Sequence, residues 1–199
     1  MAFVMTSTAV SGQQMSEEQI RQRIGENVKT MRSVQADFVQ TKHLRILDDE
    51  MVSKGEMSYE QADKLRWEYK TPYTYTFILN KDKVYLKNER KSDVIDVNQN
   101  KVFKEIARIM MDSVVGNSLN DGKTFKTQIG EEGSEWVATL QPQKKDMKQL
   151  FQKIVLHFDK SQVCVSRVEL YEKNGDKTTI ELKNIKINEA VSPGKFTID

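Results

Sequence analysis

Between Ser53 and Leu86 the chain alternates apolar and polar side chains through two consecutive runs, and this limits the fold more than any other stretch. The first run sets Leu65, Trp67 and Tyr69 against Arg66, Glu68 and Lys70. After Thr71-Pro72 the second sets Tyr73, Tyr75, Phe77 and Leu79 against Thr74, Thr76, Ile78 and Asn80. A polar turn, Asn80-Lys81-Asp82-Lys83, then leads into Val84-Tyr85-Leu86. Such alternation belongs to antiparallel strands with one apolar face and one wet face. Large rings gathered on one face of a sheet have to be covered. What covers them decides the function.

The flanking sequence supplies the remaining elements. Ser16-Glu17-Glu18-Gln19 is a capping-box pattern, and Ile20, Ile24, Val28 and Met31 follow at helical spacing, which predicts an amphipathic helix over 16–31. Val34, Ala36 and Phe38 open a first strand, and residues 41–54 read as a hairpin with its loop at Asp48-Asp49-Glu50. Further strands are predicted at 55–60, 64–70, 73–80, 83–88 and 94–97. A second helix over 99–115 carries Phe103, Ile106, Ala107, Met110, Met111 and Val114 as an apolar stripe. Beyond it, 125–129, 136–140, 154–158, 163–171 and 178–187 are strand-like, with Asn174-Gly175 as a hairpin turn. Residues 146–151 predict a helical turn, and Phe196 and Ile198, after Pro193-Gly194, a last edge strand.

The expected fold class is α+β, mainly β: an incomplete antiparallel β-barrel of about 10–11 strands with helices covering its mouth. Residues 16–199 form a single domain, long enough to bury a core without staples. Residues 1–15 stand apart. MAFVMTSTAVSGQQ has no charge and reads as the remnant of a signal peptide whose start is missing, the alternative being a disordered cytosolic tail.

Composition excludes several classes of function. A formal net charge of +2 with scattered lysines and arginines argues against nucleic acid as a partner. The single cysteine, Cys164, permits neither an intramolecular disulfide nor a cysteine-rich zinc site, and within Val163-Cys164-Val165 it reads as a small apolar strand residue. No segment reaches the ~20 apolar residues of a membrane-spanning helix. Of the two histidines, His157 is expected on the wet face of a strand and His43 on the surface. The acidic pairs Glu131-Glu132 and Asp48-Asp49 are assigned to solvated loops. Zinc-protease, nucleophile-elbow, paired-cysteine and phosphate-loop patterns are all missing from the sequence. The expectation is a binding or carrier protein with no catalytic residues, metal or cofactor.

A family resemblance sharpens this. Gln35-Ala36-Asp37-Phe38-Val39-Gln40, then Ser53, Gly55-Glu56-Met57, then Leu65-Arg66-Trp67, Tyr69 and Pro72, resemble the periplasmic outer-membrane lipoprotein carrier (LolA) family. The likeness continues through Trp136-Val137-Ala138-Thr139-Leu140, Pro142, Ile154, Leu156, Phe158-Asp159 and the Asn174-Gly175-Asp176 hairpin to Asn184, Asn188, Phe196 and Ile198. It covers about residues 17–199, each piece weak alone and specific in its order. The resemblance implies an unclosed barrel enclosing an apolar cavity for the acyl chains of lipidated proteins. It further implies an inner-membrane lipoprotein-release complex and an outer-membrane receptor as partners, and a periplasmic monomer. One position departs from the pattern. Where better-known members carry Arg-Pro after the Gly-Glu-Leu strand, this chain has Gln61-Ala62, and Arg66 does not occupy the matching place.

On this reading Trp67, Tyr69, Tyr75, Phe77, Leu79, Phe103, Ile106, Met110 and Met111 line the acyl-chain cavity. Adjacent methionines suit irregular apolar partners, although ordinary core packing is the better explanation of any single one. Two alternatives stay open: a lipoprotein sensor on the same fold, and a carrier of another envelope lipid or glycolipid.

Overall fold

Eleven strands pair into one open antiparallel sheet in the computed structural model, which describes residues 14–96, 111–112, 116, 119 and 122–197. The strands are β1 (Ser33–Leu44), β2 (Asp49–Glu60), β3 (Lys64–Thr71), β4 (Tyr75–Asn80), β5 (Lys83–Asn88) and β6 (Ser92–Asp96). They continue as β7 (Phe125–Glu132), β8 (Glu135–Pro142), β9 (Phe151–Asp159), β10 (Cys164–Glu172) and β11 (Lys177–Ile187). Their spatial order is β6-β5-β4-β3-β2-β1-β11-β10-β9-β8-β7, so two sequential meanders meet at a seam between the first strand and the last. Most of the predicted helix over 99–115 lies outside the described residues, as do residues 1–13. Met111 and Asp112, within that range, are helical.

The amino-terminal helix, α1 (Glu17–Thr30), starts where the sequence signals it. Ser16 accepts from the Gln19 backbone, and the Gln19 side chain accepts from the Ser16 backbone, which together close a capping box. Its apolar stripe lies on the concave side of the sheet. Ile20 and Ile24 join Trp136, Leu140, Leu156 and Phe158 of β8 and β9 in one core cluster. Met31, just past the helix end, joins the other, built from β1 to β5, β11 and Cys164. Val28 touches both, as does Ile180 of β11. A short helix, α2 (Lys145–Leu150), buries Met147 in the α1 cluster as ordinary core.

Asparagines hold the seam between β1 and β11. The β1–β11 register shifts between Gln35 and Asp37, opposite Asn184, whose φ of 53° places it in the left-handed region that asparagine tolerates. Its side chain donates to Asp37 Oδ2 at 2.6 Å. Asn188, at φ 60°, accepts from the Arg32 backbone at 2.7 Å and donates to the Thr30 carbonyl at 3.1 Å, tying the end of α1 to the end of β11.

Several expectations need correction. Phe196 is not in an edge strand: Pro193–Phe196 is a 3-10 turn packed on the convex face of β3 and β4, and Ile198 lies outside the described residues. Proline at the start of the turn suits its fixed φ. Arg66 and Asn80 donate to the carbonyls of Lys195 and Phe196, which pins the turn down. This cover explains why Ile78, on the nominally wet face, is fully buried. Tyr73 precedes β4 rather than belonging to it. Glu131 and Glu132 end β7, and Asp49 and Glu50 begin β2, so the acidic pairs are not confined to loops. His157 is on the convex face but buried, because Arg167 Nη2 donates to its Nδ1 at 2.8 Å and to Glu135 Oε2 at 3.2 Å, roofing it with charge.

Candidate functional site

Three cross-strand rungs build the concave wall over the amino-terminal half of the sheet. Registers align Val34, Tyr59, Leu65, Leu79, Val84 and Ile95 in one rung, and Ala36, Met57, Trp67, Phe77 and Leu86 in the next. The third runs through Phe38, Gly55, Tyr69 and Tyr75. Side chains in register on one face are neighbours, so the alternation in each strand becomes a continuous apolar surface.

Gly55 is the residue that lets the rings meet. A Cβ there would lie 1.9 Å from the Glu68 carbonyl oxygen and 2.6 Å from the Phe38 ring. Phe38 instead lies across the glycine and stacks on Trp67 at 4.4 Å and 26°, with Tyr69 edge-on at 5.2 Å and 83°. Tyr73 and Tyr75 continue the cluster at 5.6 and 6.3 Å from Tyr69. Burial, helped by Tyr73 nearby, pushes the Tyr69 phenol up to about 12, and its hydroxyl donates to Gln40 Oε1 at 2.9 Å. Tyr75 is raised too, first by burial and then by Asp93.

The structure therefore brings Trp67, Tyr69, Tyr75, Phe77 and Leu79 together on one wall. Trp67, Phe77 and Leu79 are buried, Tyr69 and Tyr75 half-buried. Met111 packs against the same cluster. Phe103, Ile106 and Met110 lie outside the described residues. Phe38, Met57 and Tyr59 complete the wall and are missing from the sequence expectation, although the alternation that opens β1 already points Phe38 inward.

Chemically the wall offers aromatic and aliphatic area with few polar groups, which suits hydrocarbon rather than a polar substrate. The convex face differs in kind. There Arg66, Lys87 and Lys195, with Thr76, Ser192 and Thr197, line an open cleft of about 370 Å³. Around His157, burial opposes ionisation of Glu169, yet hydrogen bonds from Tyr171 and Lys177 and the lysine's charge hold its carboxyl below the ordinary value. Cys164 is buried, and burial, with Asp159 adding to it, pushes its thiol up to about 11, which makes it a packing residue. Among the described residues no group of histidine, cysteine and carboxylate side chains could hold a metal ion.

Residues 29–199 match the model of the family described as outer membrane lipoprotein carrier protein LolA. The chain belongs to the LolA family. Two relatives named outer-membrane lipoprotein carrier protein agree with this. The one from Helicobacter hepaticus is 28% identical over 174 residues, covering 86% of this chain and 79% of the relative. The one from Nitrosospira multiformis is 24% identical over 170 residues, covering 85% and 79%. Among solved structures, an uncharacterized conserved protein from Thermus thermophilus superposes with a TM-score of 0.54 at 12% identity, covering 88% of this chain and 91% of that one. The Pseudomonas aeruginosa MucA/MucB complex gives 0.53 at 10% identity, covering 90% of this chain and 60% of that one. At such identities the likeness shows the fold alone. For this LolA-family sheet, no described helix is long and apolar enough to cross a membrane.

Proposed function

We propose that this LolA-family protein is a periplasmic carrier, not an enzyme, that holds the acyl chains of lipoproteins against its concave aromatic wall and shuttles them from the inner to the outer membrane. The observation that carries the proposal is the wall itself: Phe38, Trp67, Tyr69, Tyr75, Phe77 and Leu79 form one apolar surface in a chain whose family is named for carrying lipoproteins. Met111 packs against that wall, and we assign Phe103, Ile106 and Met110, from the same apolar stripe in the sequence, to the acyl site with it. Cargo comes from an inner-membrane release complex and leaves to an outer-membrane receptor, with the carrier acting as a monomer.

Energetics favour a wall with a cover that can part. Each buried methylene contributes ~0.8 kcal/mol, so permanent enclosure of several long chains would hold them too tightly for release. Half-buried Tyr69 and Tyr75 beside buried Trp67 give a graded surface, from which a chain can be withdrawn in steps.

Native mass spectrometry of protein purified from a bacterial envelope, paired with binding of a fluorescent fatty acid, tests the reading. A co-purifying lipoprotein is expected, together with probe binding that weakens at least about tenfold in Tyr75→Asp and in Phe103→Asp. Circular dichroism should show both variants folded. A free lipid of another class on the purified protein would replace lipoprotein carriage with envelope-lipid carriage. A protein that arrives empty and ignores the probe would reduce the concave face to packing and end the proposal.

A further inference from the structure

The exposed large apolar side chains are not scattered. Antiparallel pairing sends the β1–β2, β3–β4, β5–β6, β8–β9 and β10–β11 connections to one end of the sheet. Ile46 and Leu47 form the tip of the first at 85% and 69% exposure, with Met51 and Val52 just behind them on β2. Tyr73 in the second and Leu150 in the fourth are 46% and 42% exposed. The rest of the exposed large apolar group, among the described residues, is Val94 on the edge strand β6.

This rim is braced. Leu47 donates to the Leu44 carbonyl at 3.1 Å, which closes the tip of the β1–β2 hairpin. The Arg45 backbone donates to Asp176 Oδ1 at 3.1 Å, and the Arg45 side chain crosses Gly175, where a Cβ would lie 2.6 Å from its Cδ. The Lys173 backbone donates to the Leu150 carbonyl at 2.9 Å. The β1–β2, β10–β11 and α2 tips are thus linked side by side, and their apolar side chains project outward.

Charge distinguishes this end as well. Its five connections hold seven basic residues, Arg45, Arg90, Lys91, Lys144, Lys145, Lys148 and Lys173, against four carboxylates, Asp48, Glu89, Asp146 and Asp176. The opposite end, over 31–32, 61–63, 81–82, 133–134, 160–163 and 188–192, holds Arg32, Lys81 and Lys160 against Asp63, Asp82 and Glu189. Asp49 and Glu50 begin β2 beside the tip and soften the basic excess locally.

We propose that this rim docks on the surface of an anionic phospholipid bilayer, with Ile46 and Leu47 inserted among the lipids and the surrounding lysines and arginines at the headgroups. The chemistry favours lipid over a protein groove. Anchors of protein interfaces are typically Trp, Tyr and Arg in a central pocket, with Leu under-represented. Here aliphatic side chains stand on the projecting β1–β2 and β8–β9 tips, roughly 20 Å apart along the sheet at the usual strand spacing, with Tyr73 on the β3–β4 turn beyond them. A yielding, extended surface meets all of them at once. Tyr73 suits the interfacial depth where amphipathic rings collect, and basic side chains add attraction to anionic lipid that weakens with salt. Docking of this kind needs only the rim, and stands whether or not the concave wall takes acyl chains.

Flotation with vesicles of phosphatidylethanolamine containing about one-third phosphatidylglycerol, compared with phosphatidylcholine alone, tests it. The full chain is expected to float with the anionic vesicles and to be released by salt. The double variant Ile46→Ser with Leu47→Ser should lower the vesicle-bound fraction about tenfold. Its melting temperature and fatty-acid probe binding should stay as in the parent, so failure here is separable from failure of the carrier reading. A parent chain that floats with neither vesicle, or a double variant that floats as well as the parent, overturns the proposal. So does a dimer in solution that the double variant abolishes without vesicle binding, which would assign the rim to a second copy.

Discussion

Phe38 crosses β2 only because Gly55 has no side chain. Replacing Gly55 with alanine sets a methyl against the Glu68 carbonyl and the Phe38 ring, so the strand or the ring must move. Gly55→Ala should cost about 1–3 kcal/mol, as overpacking usually does, and thermal melting will show it. Tyr69 gives a second handle. Its folded phenol titrates near 12 against an ordinary value of 10.0, so the unfolded chain loses that proton first as pH rises. Stability contributed by the neutral phenol is complete below about 10 and is lost between there and about 12. Melting temperature should fall across that window in the parent and fall less in Tyr69→Phe. Individual residues were unevenly legible. Trp67 and Tyr75 follow from alternation, since parity alone assigns them to a face. Parity also assigns His157 outward, but it carries no information on the arginine and glutamates that cover it from β10 and β8.

Regular elements were the most legible level, for a physical reason. The capping box, the helical stripe and the Asn174-Gly175 turn are local signals, and the structure places α1 and the β10–β11 hairpin where they indicate. The carboxy-terminal segment shows the limit of local reading. Phe196 after Pro193-Gly194 looks like the start of a strand, yet its burial depends on a surface contributed by β3 and β4 more than 100 residues away. Phe196→Ala should cost about 3–5 kcal/mol, measured by denaturant unfolding, and it opens the cover over Ile78. Loss of under 1 kcal/mol would mean that the turn is an ornament on the sheet rather than part of its packing.

At the scale of the whole molecule, the open sheet was legible as a strand count and the wall as one alternating face, while the strand order was not. Nothing local in β1 or β11 states that they pair, because the pairing joins residues such as Phe38 and Leu182 across most of the chain. That seam has a consequence for how the molecule comes to be folded. β2 to β6 and β7 to β10 are each neighbours in sequence and can zip quickly, whereas closing β1 on β11 waits for a distant encounter, the slow step in chains of high contact order. A chain that stops before Lys177 would hold two half-sheets with four raw edges instead of one sheet with two, and unpaired edges recruit one another. Whether β11 reaches β1 thus decides between one continuous sheet and two half-sheets open to unwanted pairing.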